Sequence, residues 1–62
     1  MIERFKTKRD INGNTYTLTI DHTTKTFNRN YNLFDMSDFI QIGKRDRQRI
    51  IKELQTAGYT ER

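Results

Sequence analysis

Side chains able to hold a proton, a metal ion or a reactive electron pair are scarce in this sequence, so the choice of chemistry is short. There is one histidine, His22, no cysteine, a lone Ser37 and scattered threonines. A turn histidine with no neighbouring His or Cys reads as a solvated polar residue and cannot complete a metal set. Asp35 and Asp38 lie three apart and could share one side of a turn. General acid work needs a pocket, however, and so short a chain has little interior from which to make one. Asp38 therefore reads as a loop or cap residue. The glycines at 13, 43 and 58 stand singly and match no phosphate-cradling or dinucleotide pattern. The expectation is a protein that is not an enzyme, with no cofactor, no metal and no small-molecule substrate.

Cations remain. Twelve Lys and Arg against eight Asp and Glu give a net charge of +4, with a pI near 9.8. That balance favours an anionic partner, most commonly nucleic acid, although charge also keeps a small protein soluble. The stretch "GKRDRQRIIKELQTAGY", residues 43 to 59, carries five cations in its first ten positions. On a helical wheel with Arg47, Ile50 and Leu54 inward, Arg45, Arg49 and Lys52 point outward beside Gln48 and Gln55. Glu53, four residues after Arg49, suits an ordinary surface ion pair. Lys44, Arg45 and Arg47 crowd the helix start, where the macrodipole disfavours each cation by roughly 0.3 to 1 kcal/mol and only Asp46 compensates. A local rule broken without structural gain is where function tends to sit.

Positioning these groups requires a helix and a sheet. Asn12-Gly13, between "RFKTKRDI" and "NTYTLTID", predicts a hairpin over 2–21 with a two-residue type I′ turn. That register sets Phe5 opposite Ile20, Thr7 opposite Leu18 and Arg9 opposite Tyr16 on one face. Arg4, Lys6 and Lys8 then oppose Asp21, Thr19 and Thr17 on the other. A second turn within "DHTTK" returns a third strand over about 25–31, pairing Ile20 with Phe27. Phe27 and Tyr31 then lie on the apolar face, and Arg29 sits beside Leu18 with its guanidinium near a tyrosine ring. The helix runs over about 44–57, capped by Gly43 or Asp46, and stops at Gly58 in a Schellman motif that brings Tyr59 to Leu54. The fold class is α+β, a three-stranded antiparallel β-meander with a C-terminal α-helix packed on one face.

The wet face of that sheet is a second candidate surface, with Arg4, Lys6 and Lys8, threonines 15, 17, 19 and 26, and Asn28 and Asn30. It carries no aromatic ring on which single-stranded bases would stack, so it suits phosphate and groove contacts on a duplex. The candidate nucleic-acid-binding residues are thus Lys44, Arg45, Arg49 and Lys52 on the helix, and Arg4, Lys6 and Lys8 on the sheet. The order of three strands and a helix is similar to that of the small DNA-binding domains of some phage and transposon integrases, with no motif shared.

Between strand and helix, "NLFDMSDFIQI", the connector 32–42, is apolar and reads as irregular, with room for a short extra element. Leu33, Phe34, Met36, Phe39 and Ile40 exceed what a two-layer core of this size must hold, which makes them a candidate protein or homodimer interface. The sixty-two residues form a single domain near the lower limit for independent folding. Seven aromatics and regular patterning favour order despite a hydrophobic fraction of 32%. Cysteine absence, the lack of a long apolar run and an N-terminus without a signal-peptide core point to a soluble cytoplasmic protein. The leading expectation is a small basic module that binds double-stranded nucleic acid. The competing one is a protein-interaction or oligomerisation module, such as a bacterial or phage accessory protein.

Overall fold

The computed structural model describes residues 1–29 and 37–62. Alternating apolar and polar residues build β1 (Ile2–Thr7), β2 (Thr17–Asp21) and β3 (Thr26–Arg29). These form an antiparallel meander in which Ile20 stands opposite Phe27 and Leu18 opposite Arg29, as the sequence requires. Two further strands enlarge it. β4 (Ile40–Ile42) runs parallel to β1, and β5 (Thr60–Glu61) runs parallel to β3. The result is a five-stranded mixed sheet in the order β4-β1-β2-β3-β5, in place of the expected three strands. The α+β class holds, and the extra strands are short segments before and after α1 (Lys44–Thr56).

The hairpin register also differs from expectation. Phe5 faces Leu18 and Glu3 faces Ile20, two residues away from the pairing that a two-residue Asn-Gly turn imposes. Asp10 explains half of the offset. Its Oδ1 accepts hydrogen bonds from the backbone N–H groups of Asn12 and Asn14, each 2.9 Å. Gly13 N donates to Asp10 O and Asp10 N to Asn14 O, both 3.0 Å. This closes a three-residue loop whose glycine takes the left-handed conformation, φ +80°. The other half arises because Lys8 and Arg9 stand opposite Thr15 alone, between the 7–16 and 10–14 pairings. An offset of two preserves the alternation within the paired strands, so the residues of β1 and β2 keep their expected faces, although Thr17, expected on the wet face, is buried.

α1 packs on the face bearing Phe5, Leu18, Ile20 and Phe27. Leu18, Ile20, Phe27, Ile51 and Leu54 are buried together, with Phe5, Ile50 and Tyr59 against them. Burial of each such side chain is worth about 1.5–3 kcal/mol, which makes this small cluster the main source of stability. Gly43 is the N-cap, with no side chain to cap the helix. At the other end Gly58 N donates to Gln55 O and Tyr59 N to Leu54 O, with Gly58 at φ +88°. This is the expected Schellman stop. It turns the chain back along β3, where Thr60 N donates to Lys25 O and Arg62 N to Phe27 O.

Candidate nucleic-acid interface

Lys8 lies one residue beyond β1, and Lys44 opens α1. The loop geometry brings them together. Lys8, Arg9, Asp10 and Ile11 from the hairpin, and Ile42, Gly43 and Lys44 from the β4–α1 junction, line a solvent-open cleft of about 490 Å3. Lys44 Nζ reaches Asp10 Oδ2 at 3.8 Å and lies 5.7 Å from the centre of the Tyr16 ring. Asp10 is thus a hub that orders the loop and holds the helix start against it. Its carboxyl sits below the usual carboxylate range because Asn14 and Asn12 N–H groups and the Lys44 charge favour the anion, against some desolvation.

Arg47 serves structure as well. Its Nε donates to Thr17 O at 3.2 Å, and its guanidinium lies 5.7 Å from the Tyr16 ring centre. Desolvation, with the nearby Arg29 charge, pulls it below the ordinary arginine value, while Tyr16 and Glu61 oppose that shift. Two of the three cations at the helix start therefore have structural partners, which weakens the inference from the macrodipole. Arg45 keeps its force. It is exposed, as are Arg49 and Lys52 four and seven positions on, so a cationic stripe leaves the cleft along the outer side of α1. Arg49 contacts Asp46 at 3.4 Å, a carboxylate before it in the chain instead of the expected Glu53.

Arg4 and Lys6 occupy the sheet face away from the helix. Arg4 lines a separate hollow of about 240 Å3 with Thr19, Asp21, Asn28 and Arg62, while Lys6 is half-buried. Of the seven candidate cations, Lys8 joins the helix group and Arg4 and Lys6 remain apart. Asn30, Tyr31, Leu33, Phe34, Asp35 and Met36 lie outside the described residues. Phe39 is buried, whereas Ile40 is 61% exposed on β4. Of the interface candidates among the described residues, one is thus buried and one exposed.

Two contacts were not anticipated from sequence. Arg29 makes a two-pronged contact with Glu61, Nε to Oε2 and Nη2 to Oε1, both 2.7 Å. That pairing raises Arg29 and lowers Glu61 from their ordinary values. His22 is the second case. Its Nε2 lies 2.9 Å from Glu3 Oε2 and its Nδ1 2.8 Å from the Tyr59 hydroxyl. A carboxylate accepts, so Nε2 donates to Glu3, and Nδ1 shares a hydrogen bond with the Tyr59 hydroxyl. The order carboxylate, imidazole, hydroxyl is chemically suggestive. Tyr59, however, packs its ring against the core, and the trio ties β1, the β2–β3 turn and the exit of α1 together. The available signal was Glu3 itself, a carboxylate on the core face of β1.

Among the described residues no group of three or more His, Cys, Asp or Glu could hold a metal ion. Nor is any described helix long and apolar enough to cross a membrane. No family model, curated protein or solved structure matches the chain.

Proposed function

We propose that this chain is a non-enzymatic module that binds double-stranded nucleic acid through the end of the domain where the hairpin tip meets the start of α1. The supporting observation is the convergence of Lys8 and Arg9 with Lys44 around one open cleft, from segments more than thirty residues apart. Arg45, Arg49 and Lys52 extend the same charge along α1. Asp10 and Asp46 partly offset it. Asp10 faces inward to the loop amides and Lys44, which leaves Lys8, Arg9 and Arg45 for phosphates. Cations on a hairpin and on an adjoining helix can follow two neighbouring phosphate tracks, whereas the sheet face lies on another side.

Fluorescence anisotropy with a labelled generic duplex tests this. If about four phosphates are neutralised, raising salt from about 50 to 200 mM should weaken binding by about a hundredfold. Replacing Lys8, Arg9 and Arg45 by Gln should cost about tenfold or more at low salt. Replacing Arg4 and Lys6 should cost little. Absence of binding at low salt would exclude the reading.

Ile40, exposed on a strand at the edge of the described sheet, supports a second reading in which the chain pairs with a protein partner or with itself through β4. Sedimentation across a concentration series separates the two. A concentration-dependent dimer abolished by Ile40→Lys would favour the second.

A further inference from the structure

We propose that Ile11, at the tip of the hairpin, is an apolar wedge that enters between base pairs of a bound duplex; this rests on the nucleic-acid reading above. Ile11 is fully exposed. Single exposed apolar residues are common, but this one occupies the apex of a tight polar loop, where no packing rewards a β-branched hydrocarbon. The loop is also firmly built. Asp10 Oδ1 accepts from Asn12 and Asn14, Gly13 supplies the left-handed residue, and Lys44 ties Asp10 to the helix start. The isoleucine therefore projects into solvent from an ordered backbone.

Charge around the tip identifies the occupant. Lys8, Arg9 and Lys44 line the cleft with Ile11, while Asp10 among them is engaged by the loop amides and Lys44. An apolar residue beside a surplus of cations suits a ligand that is anionic outside and apolar within. Anionic lipid surfaces and duplexes both fit that description. Ile11 is one side chain with Asp10, Asn12 and Asn14 around it, and membrane anchoring needs far more apolar area than a single isoleucine supplies. One side chain is enough for a base step. Apolar wedges unstack adjacent pairs and kink the duplex while flanking cations hold the phosphates.

The test uses a duplex of about two helical turns with a fluorescence donor and acceptor on its ends, titrated with the full chain and with Ile11→Ser and Ile11→Leu. The wild type should raise transfer efficiency on binding, as a kinked duplex brings its ends together. Ile11→Ser should lose that rise and bind about tenfold more weakly with the same salt slope, because only the apolar contact is gone. Ile11→Leu should restore both. Unchanged melting temperatures would show that all three proteins are folded. Wild-type binding with no change in transfer, or an Ile11→Ser variant that bends the duplex equally, would overturn the wedge and leave the nucleic-acid reading standing. Failure of the wild type to bind duplex would remove both. Binding to phosphatidylserine vesicles that depends on Ile11, without duplex binding, would overturn the proposal in favour of a lipid surface.

Discussion

His22 shows how one side chain can look reactive and act as a fastener. Its two ring nitrogens are used by Glu3 and Tyr59, and the imidazole meets the Tyr59 ring edge-on, with centroids 5.7 Å apart. Each partner comes from a different part of the chain, so the residue closes the sheet end farthest from the cationic cleft. Tyr59→Phe removes one hydrogen bond and leaves the ring in place. It should lower stability by about 0.5–1.5 kcal/mol in urea unfolding. Duplex affinity should not change, because the latch and the cleft lie at opposite ends of β1. A Tyr59→Phe protein as stable as wild type, yet impaired in binding, would show that the trio serves function. Sequence exposed only one part of this trio, the Glu3 carboxylate on the core face of β1. His22, Glu3 and Tyr59 are remote in the chain, and only the hairpin register and the Schellman stop together bring them into contact.

At the scale of elements, the legible parts were those specified by local chemistry. Gly58 after the apolar stripe of Ile50, Ile51 and Leu54 determined where α1 ends, and both hydrogen bonds of that ending are present. Gly58→Ala should cost about 1–2 kcal/mol, since φ is +88° and alanine resists that region. Chemical denaturation would register this, and a neutral effect would mean that the turn re-forms by another route. The hairpin was half legible. Asn12-Gly13 marked the turn correctly, but Asp10, two residues earlier, offers its carboxylate to two amides and widens the loop. β4 and β5 were harder still. A strand of two or three residues carries almost no periodicity, and each is defined by the edge it meets, β1 or β3. The cationic cleft inherits that difficulty, because Lys8 belongs to it only once β4 has set α1 beside the hairpin.

For the whole molecule, acid is the informative stress. Asp10, Asp21 and Glu61 all sit below their ordinary carboxylate values. Backbone N–H groups stabilise the anions of Asp10 and Asp21, with Asn14 and Thr24 foremost, and Arg29 holds Glu61. A carboxylate with a depressed folded pKa stabilises the native state above its unfolded value and loses that contribution as pH falls through the folded one. Three such groups brace three places: the hairpin loop with the helix start, the β2–β3 turn, and the contact between β3 and β5. Protonation should therefore loosen both ends of the sheet together. The net charge, already +4 near neutrality, also grows on acidification and adds repulsion within so small a body. The melting temperature should stay level from about pH 7 to pH 5 and then fall steeply below about pH 4, near the ordinary carboxylate range. Asp10→Asn should melt lower at neutral pH, because it loses the charge that faces Lys44 and the loop amides. It should also show a smaller drop on acidification than wild type. Parallel melting curves for the two proteins across that range would mean that Asp10 does not carry this coupling, and that acid acts through other carboxylates.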